Sequence, residues 1–301
     1  MSKASATLAS AMLVASAANY LLNVFLARWL LPDEFGDANL MVTLMLATSA
    51  VAAALQLLTA RRISTADAET AKATRRISLR RAWMIGGGIG FLAISGAPAL
   101  RDVTSSASAL PFVILGIGIP FYLTQAVERG VLQGELRFKR LALTFMVEAA
   151  TRLGATLGAV TLGFGVVGAT TGLSVSFVAS WLAARPSRAA RAGTSATVTR
   201  AAEDGAARRA ATATSILLVA QIIINNGDVV LAKVLFDAEA AGIYAVVALV
   251  GRGVFFLSWS IVMAAFPMAA RDGGRQVVRQ AVVGVAGVSA VATTVVAVVM
   301  P

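Results

Sequence analysis

The feature that most restricts this chain is a succession of apolar runs of about twenty residues, the helix length that crosses a hydrocarbon core of roughly 30 Å, separated by short charged stretches. In lipid every backbone N–H and C=O must find a partner within its own segment, so such runs can only be helices. Nine are expected, near 7–31, 37–60, 83–100, 110–128, 141–163, 166–184, 212–236, 241–266 and 278–300. Gly86, Gly87, Gly88, Pro111 and Pro120 fall inside them and do not interrupt the reading, because membrane helices tolerate both residue types. Lys3, the apolar stretch behind it and Ala15-Ser16-Ala17 loosely imitate a signal peptide, but the run continues to Leu31 and so has a full membrane length. The expected fold class is an all-α polytopic membrane protein.

Composition agrees and narrows the chemistry. Hydrophobic residues make up 58% and charged ones 14%, with a mean hydropathy of +0.79, outside the range of soluble domains of this length. The chain has no His and no Cys, which removes imidazole acid–base chemistry, zinc and iron–sulfur ligation, disulfides and thiol nucleophiles. No enzyme activity, metal or cofactor is expected. The net charge of +11 does not point to nucleic acid, because the basic residues form short blocks between apolar runs, where membrane topology accounts for them.

Those blocks set the expected orientation. Arg61, Arg62, Lys72, Arg75, Arg76, Arg80 and Arg81 follow the second run, and Arg129, Arg137, Lys139 and Arg140 follow the fourth. Arg185, Arg188, Arg191, Arg200, Arg208 and Arg209 follow the sixth; Arg271, Arg275 and Arg279 follow the eighth. The alternate connections hold Asp33, Glu34 and Asp37, then Arg101 with Asp102, then no charge, then Asp237 and Glu239. The positive-inside rule makes the N-terminus and the basic connections cytoplasmic in a cell (plasma) membrane.

An internal repeat runs across this pattern. Asn23-Val24-Phe25-Leu26-Ala27-Arg28-Trp29-Leu30-Leu31-Pro32-Asp33-Glu34 aligns with Asp228-Val229-Val230-Leu231-Ala232-Lys233-Val234-Leu235-Phe236-Asp237-Ala238-Glu239, with five identities, and Gly36 matches Gly242 after one inserted residue. The first and seventh runs start on the same side, so the halves form a parallel repeat with a pseudo-twofold axis along the membrane normal. The expected organisation is one complete six-helix bundle over 1–184, a basic cytoplasmic linker over 185–211, and three helices of a second bundle over 212–301. Six spans per repeat would make twelve, and a nine-span chain is expected not to flip cargo alone.

Three passages, Asn19–Gly36 with its ARWLLPDEFG turn, Glu128–Arg140 with ERGVLQGELRFKR, and Asp228–Pro267 with DAEAAGIYAVVALVGRGVFF, resemble the polysaccharide-unit (oligosaccharide) flippases of the multidrug/oligosaccharidyl-lipid/polysaccharide exporter (MOP) superfamily. The resemblance implies two six-helix bundles around a central cavity lined mainly by the first two helices of each. It also implies alternating access without ATP hydrolysis, with the bilayer, a lipid-linked anionic saccharide and other polysaccharide-assembly membrane proteins as partners.

Ionisable residues within the spans carry the site expectation, since each costs about 2.5–3.5 kcal/mol at a helix centre and asks for a partner or a wet cavity. Arg252 falls near mid-membrane in the eighth span, as a cavity group or as a structural arginine. Glu148 and Arg152 stand four apart and can pair on one face of the fifth span. Asp228 and Lys233, five apart, do not share a face; Arg28 and Lys233 either serve the cavity or snorkel to the interface. Asn19, Asn23, Asn225 and Asn226 add amide groups that can bond sugar hydroxyls or join helices, as do Gln56 and Gln125. Met41 and Met45 are expected to pack. Arg28, Arg152, Lys233 and Arg252 outnumber Glu148 and Asp228, which favours an anionic cargo such as a polyprenyl-diphosphate saccharide. The alternatives are a cation-coupled multidrug exporter, for which Asp228 is the candidate carboxylate, and a truncated, non-transporting membrane scaffold.

Overall fold

The computed structural model describes residues 3–185 and 226–249, with positions 220, 224, 251, 279, 282–287 and 290. It divides into two compact units, Met1–Tyr244 and Ala245–Pro301, and the account below concerns the first. The expected spans 241–266 and 278–300, the start of span 212–236 and the linker from 186 to 211 lie wholly or mainly outside the described residues.

Seven helices make up the first part of the chain: α1 (Lys3–Trp29), α2 (Pro32–Ser64), α3 (Ala68–Ser95), the short α4 (Ala97–Val103), α5 (Leu110–Gly134), α6 (Phe138–Thr161) and α7 (Gly165–Ala184). Two more follow at 226–235 (α8) and Ala238–Leu249 (α9). All the described regular structure is helical. Among the described residues five helices, in α1, α2, α3, α5 and α7, are long and apolar enough to cross a membrane. The sixth long helix, α6, carries Lys139, Arg140, Glu148 and Arg152 along a similar length.

Local sequence explains where these helices start. Pro32 opens α2, where its missing N–H is not needed, and the Glu34 carboxylate accepts the Leu31 N–H at 3.2 Å. Asp33 and Glu34 also place negative charge at the positive end of the helix dipole. Asp67 caps α3 by accepting the Thr70 N–H at 2.8 Å. Asp237 does the same for α9 with the Ala240 N–H, also at 2.8 Å.

Two expected boundaries need correction. The third span, expected at 83–100, begins at Ala68, so Lys72, Arg75, Arg76, Arg80 and Arg81 ride on a helix and not on a connection; α4 takes the other end. The fourth span, expected to stop at 128, continues to Gly134 and carries Arg129 into the bundle, where it is 7% exposed. Apolar run length locates the hydrocarbon-like part of a helix and misses turns whose charges are paired by neighbours. Arg75 illustrates this: it reaches from α3 to the buried Glu128 of α5, with Nε donating to Oε2 at 2.8 Å and a second contact from Nη2 to Oε1.

Helix α5 is the central element, packed by α2, α3, α6 and α7, while α1 packs on α6. Apolar side chains gain little by leaving lipid for one another, so close backbone approach and interlocking shape hold such helices together. Pro120 removes the N–H that would bond the Gly116 carbonyl, and that oxygen lies where a β-carbon on Gly90 of α3 would be. Gly130 and Gly134, one turn apart on α5, likewise lie against the backbone carbonyls of Gln56 and Ala60 on α2. The Gln56 amide crosses that seam to donate to Gln133 Oε1 at 2.9 Å. Leu40, Met41, Met45, Phe112, Leu115, Leu123, Val127 and Phe177 fill the core between α2, α5 and α7.

Candidate functional site

Helices α5 and α6 are antiparallel across the turn 135–137, where Leu136 takes a left-handed conformation at φ 56°. Such a hairpin sets residues at similar distances from the turn side by side, which brings Arg129 to Thr144 and Gln125 to Glu148. The spacing of four within each helix, Gln125 to Arg129 and Glu148 to Arg152, makes one polar face on each partner.

Where the two faces meet, one carboxylate serves two guanidinium groups. Arg129 Nη2 lies 2.6 Å from Glu148 Oε2, and Arg152 Nη2 pairs with Glu148 Oε1. The remaining guanidinium donors are held from three helices, α1, α6 and α7. Arg129 Nε donates to Thr144 Oγ1 at 3.0 Å and Nη2 to Ser180 Oγ of α7 at 2.9 Å, with the guanidinium 3.9 Å from the Phe145 ring centroid. Arg152 Nη1 donates to Asn19 Oδ1 of α1 at 3.1 Å, and Nε to Ser176 Oγ of α7 at 3.3 Å. Gln125 Nε2 donates to Glu148 Oε2 at 3.3 Å.

The cluster faces a cavity of about 240 Å³ between α1, α2, α5 and α6, whose polar lining is Ser16, Asn19, Tyr122, Arg129, Glu148 and Arg152. The three charged side chains keep 8%, 13% and 11% of their surface for Arg129, Glu148 and Arg152. Two fixed cations against one anion leave an excess positive charge in a low-dielectric setting, which attracts anions and disfavours a further cation beside Glu148.

The second polar focus joins the two stretches that the repeat aligns. A β-carbon on Gly36 would lie 3.1 Å from the Gly242 Cα, and one on Gly242 would overlap the Pro32 carbonyl. Beside this contact Lys233 of α8, 1% exposed, lies 2.7 Å from Asp37 Oδ1 of α2, and Asp37 Oδ2 accepts the Ala107 N–H at 3.1 Å. Tyr244 Oη donates to Asp228 Oδ2 at 3.0 Å, tying α9 to α8.

No family model matches this sequence, and no curated protein matches it either. Solved structures do. An inward-facing multidrug resistance MATE family transporter of the MOP superfamily superposes with a TM-score of 0.59 at 17% identity, covering 98% of this chain and 73% of that one. An outward-facing MATE family structure gives 0.56 at 19% identity, with 99% and 71% covered. A MOP superfamily transporter from Pyrococcus furiosus Vc1 (DSM3638), described by a reversed polarity of its binding pocket that suggests a different function, gives 0.53 at 18%, with 95% and 62% covered.

The chain has the MOP transporter fold.

Within that fold the expected site residues separate. Asn19, Glu148 and Arg152 meet in the cavity cluster. Asn23 turns back on its own helix, its amide donating to the Asn19 carbonyl at 2.8 Å. Arg28 is exposed in the last turn of α1. Lys233 does not line that cavity: it is buried on α8, and Asp37, counted in the sequence with the connection after the first span, lies within the buried start of α2 and pairs with it. Asn226 is buried on α8, whereas Asn225 and Arg252 lie outside the described residues. The expected charge excess therefore changes members, losing Lys233 to Asp37 and gaining Arg129. Spacing held the missing signal, since Gln125 and Arg129 repeat on α5 the interval that Glu148 and Arg152 show on α6.

Proposed function

We propose that this chain works in a membrane transporter, not an enzyme, that flips a lipid-linked oligosaccharide on a polyprenyl diphosphate from the cytoplasmic to the outer leaflet by alternating access. The proposed organisation keeps a first bundle over 1–184, the linker 185–211 and a second set of helices from 212, with the N-terminus cytoplasmic. The observation that carries the reading is the cavity lined by Arg129 and Arg152 against the lone carboxylate of Glu148. Guanidinium groups offer paired donors that match phosphate oxygens. At about 240 Å³ the cavity is smaller than the roughly 300–1,000 Å³ that encloses a drug-sized ligand. That size suits the anionic head of a larger cargo whose sugar and lipid lie outside it. Pocket polarity also varies within this fold, as the description of the Pyrococcus furiosus transporter indicates.

A second reading, cation-coupled multidrug export, is favoured by the MATE transporters that share the fold. Single substitutions separate the two when transport is measured per inserted molecule. With an anionic cargo, Arg152→Ala abolishes export of the lipid-linked saccharide, Arg152→Lys restores part of it, and Glu148→Gln keeps it. With cation coupling, Asp228→Asn abolishes drug export and Arg152→Ala spares it.

A further inference from the structure

The Asp37–Lys233 pair does not line the cavity beside Glu148, and the transport reading leaves it without a role. Three observations meet there. Sequence alignment makes the α1–α2 turn and the α8–α9 turn equivalent, and Gly36 and Gly242 are the matching glycines. Those same two glycines touch, so closely that neither accepts a β-carbon without displacing the other turn. Residues related by a twofold axis that also contact each other lie on that axis, so this contact marks where the two repeats close. Finally, the pair beside it crosses from one repeat to the other and is asymmetric. Lys233 aligns with Arg28, but the position matching Asp37 is Ile243, so no mirror-image pair exists.

We infer that Asp37 and Lys233 form a charge latch between the two repeats, holding the glycine contact shut in one state of the transport cycle and parting in the other. The inference rests on the alternating-access reading. A purely architectural joint needs no buried charges, since an apolar pair of similar volume serves at least as well. A joint that must open gains from charges, because each partner finds water once the turns separate, and the closed state keeps a defined register. Small, bistable contacts of this kind are how packed elements switch between discrete arrangements. By the alternation of basic and acidic connections, the latched end is the outer one.

The absence of cysteine from the chain makes the test direct. A single cysteine replaces Ser16 in the cavity lining, and an impermeant maleimide is applied from each side of sealed vesicles. Asp37→Asn combined with Lys233→Gln removes both charges and keeps a carbonyl for the Ala107 N–H. In that double variant, labelling from the side of the two turns is expected to rise at least about fivefold relative to the opposite side. Gly242→Ala, which wedges the glycine contact, is expected to shift the ratio in the same direction. A labelling ratio within about twofold of the parent in the charge-neutral double variant overturns the latch, whatever Gly242→Ala does. The measurement uses no cargo, so an unchanged ratio alongside Arg152-dependent export sinks the latch alone. A shifted ratio with no anion export sinks the cargo assignment and leaves the latch standing.

Discussion

Two of the buried ionic groups among the described residues are built to different rules. Around Glu148 there are two cations for one anion, side chains that keep 8–13% of their surface, and an adjoining cavity. Around Asp37 there is one cation for one anion, with side chains 1% and 7% exposed, enclosed between two turns. Charge imbalance beside a cavity recruits a ligand of opposite sign, whereas a balanced, enclosed pair carries no net charge to recruit one and works as a joint. Both consist of Arg or Lys with an acidic residue, so residue type alone does not separate them; stoichiometry and access to water do.

The largest expected effect breaks the sealed pair on one side only. Lys233→Met leaves Asp37 charged without its partner and should cost about 3–5 kcal/mol of stability, read as a lowered midpoint in detergent denaturation. Arg152→Met should cost distinctly less, because Glu148 keeps Arg129 and Gln125 and the cavity admits water. Equal losses in the two variants would erase the contrast between joint and cavity.

Next in size is a gain of ligand affinity. Glu148→Gln removes the one anion that competes for both guanidinium groups, so pyrophosphate should bind about tenfold more tightly, equivalent to roughly 1.4 kcal/mol, as measured by calorimetry on the purified protein. Unchanged or weaker binding would mean that the two arginines serve the packing of α5, α6 and α7 and not a ligand.

Thr144→Val tests how far the cluster depends on its neutral supports. It removes the acceptor for Arg129 Nε while preserving shape, and should cost about 1 kcal/mol together with a modest loss of pyrophosphate affinity. A loss of stability without any change in affinity would place Arg129 outside the ligand's reach. The smallest effect is expected at the seam between α2 and α5. Gln133→Leu breaks the amide pair with Gln56 and should cost about 0.6 kcal/mol, with no change in anion binding. Any larger effect there would mean that uncharged pairs in this bundle matter as much as the ionic ones.

Much of the first bundle was legible in the sequence because hydropathy and helix length report the same constraint. The expected spans at 37–60, 141–163 and 166–184 fall within a few residues of α2, α6 and α7. The pairing of Glu148 with Arg152 was legible for the same reason, being a contact within one helix set by a spacing of four. Arg129 was not, because hydropathy counts an arginine as the end of a span, and only the partners on α6 and α7 show that it continues inward. Asp37 was counted by the same logic with the charges of the first connection, at the very edge of the second span, although the helix that carries its cation lies almost two hundred positions along the chain.

The sequence by itself determined that the described first part of the chain is built mainly on membrane-length helices, because an apolar backbone segment has no other way to satisfy its polar groups in lipid. It also determined the likeness of the two turns, which is written in their residues. Only the tertiary structure decided which charges share a site, which cancel, and that the two matching glycines touch. Those outcomes depend on helices distant in sequence coming within a few ångströms, where the balance of charge and the access of water are set by neighbours and not by the residue's own place in the chain.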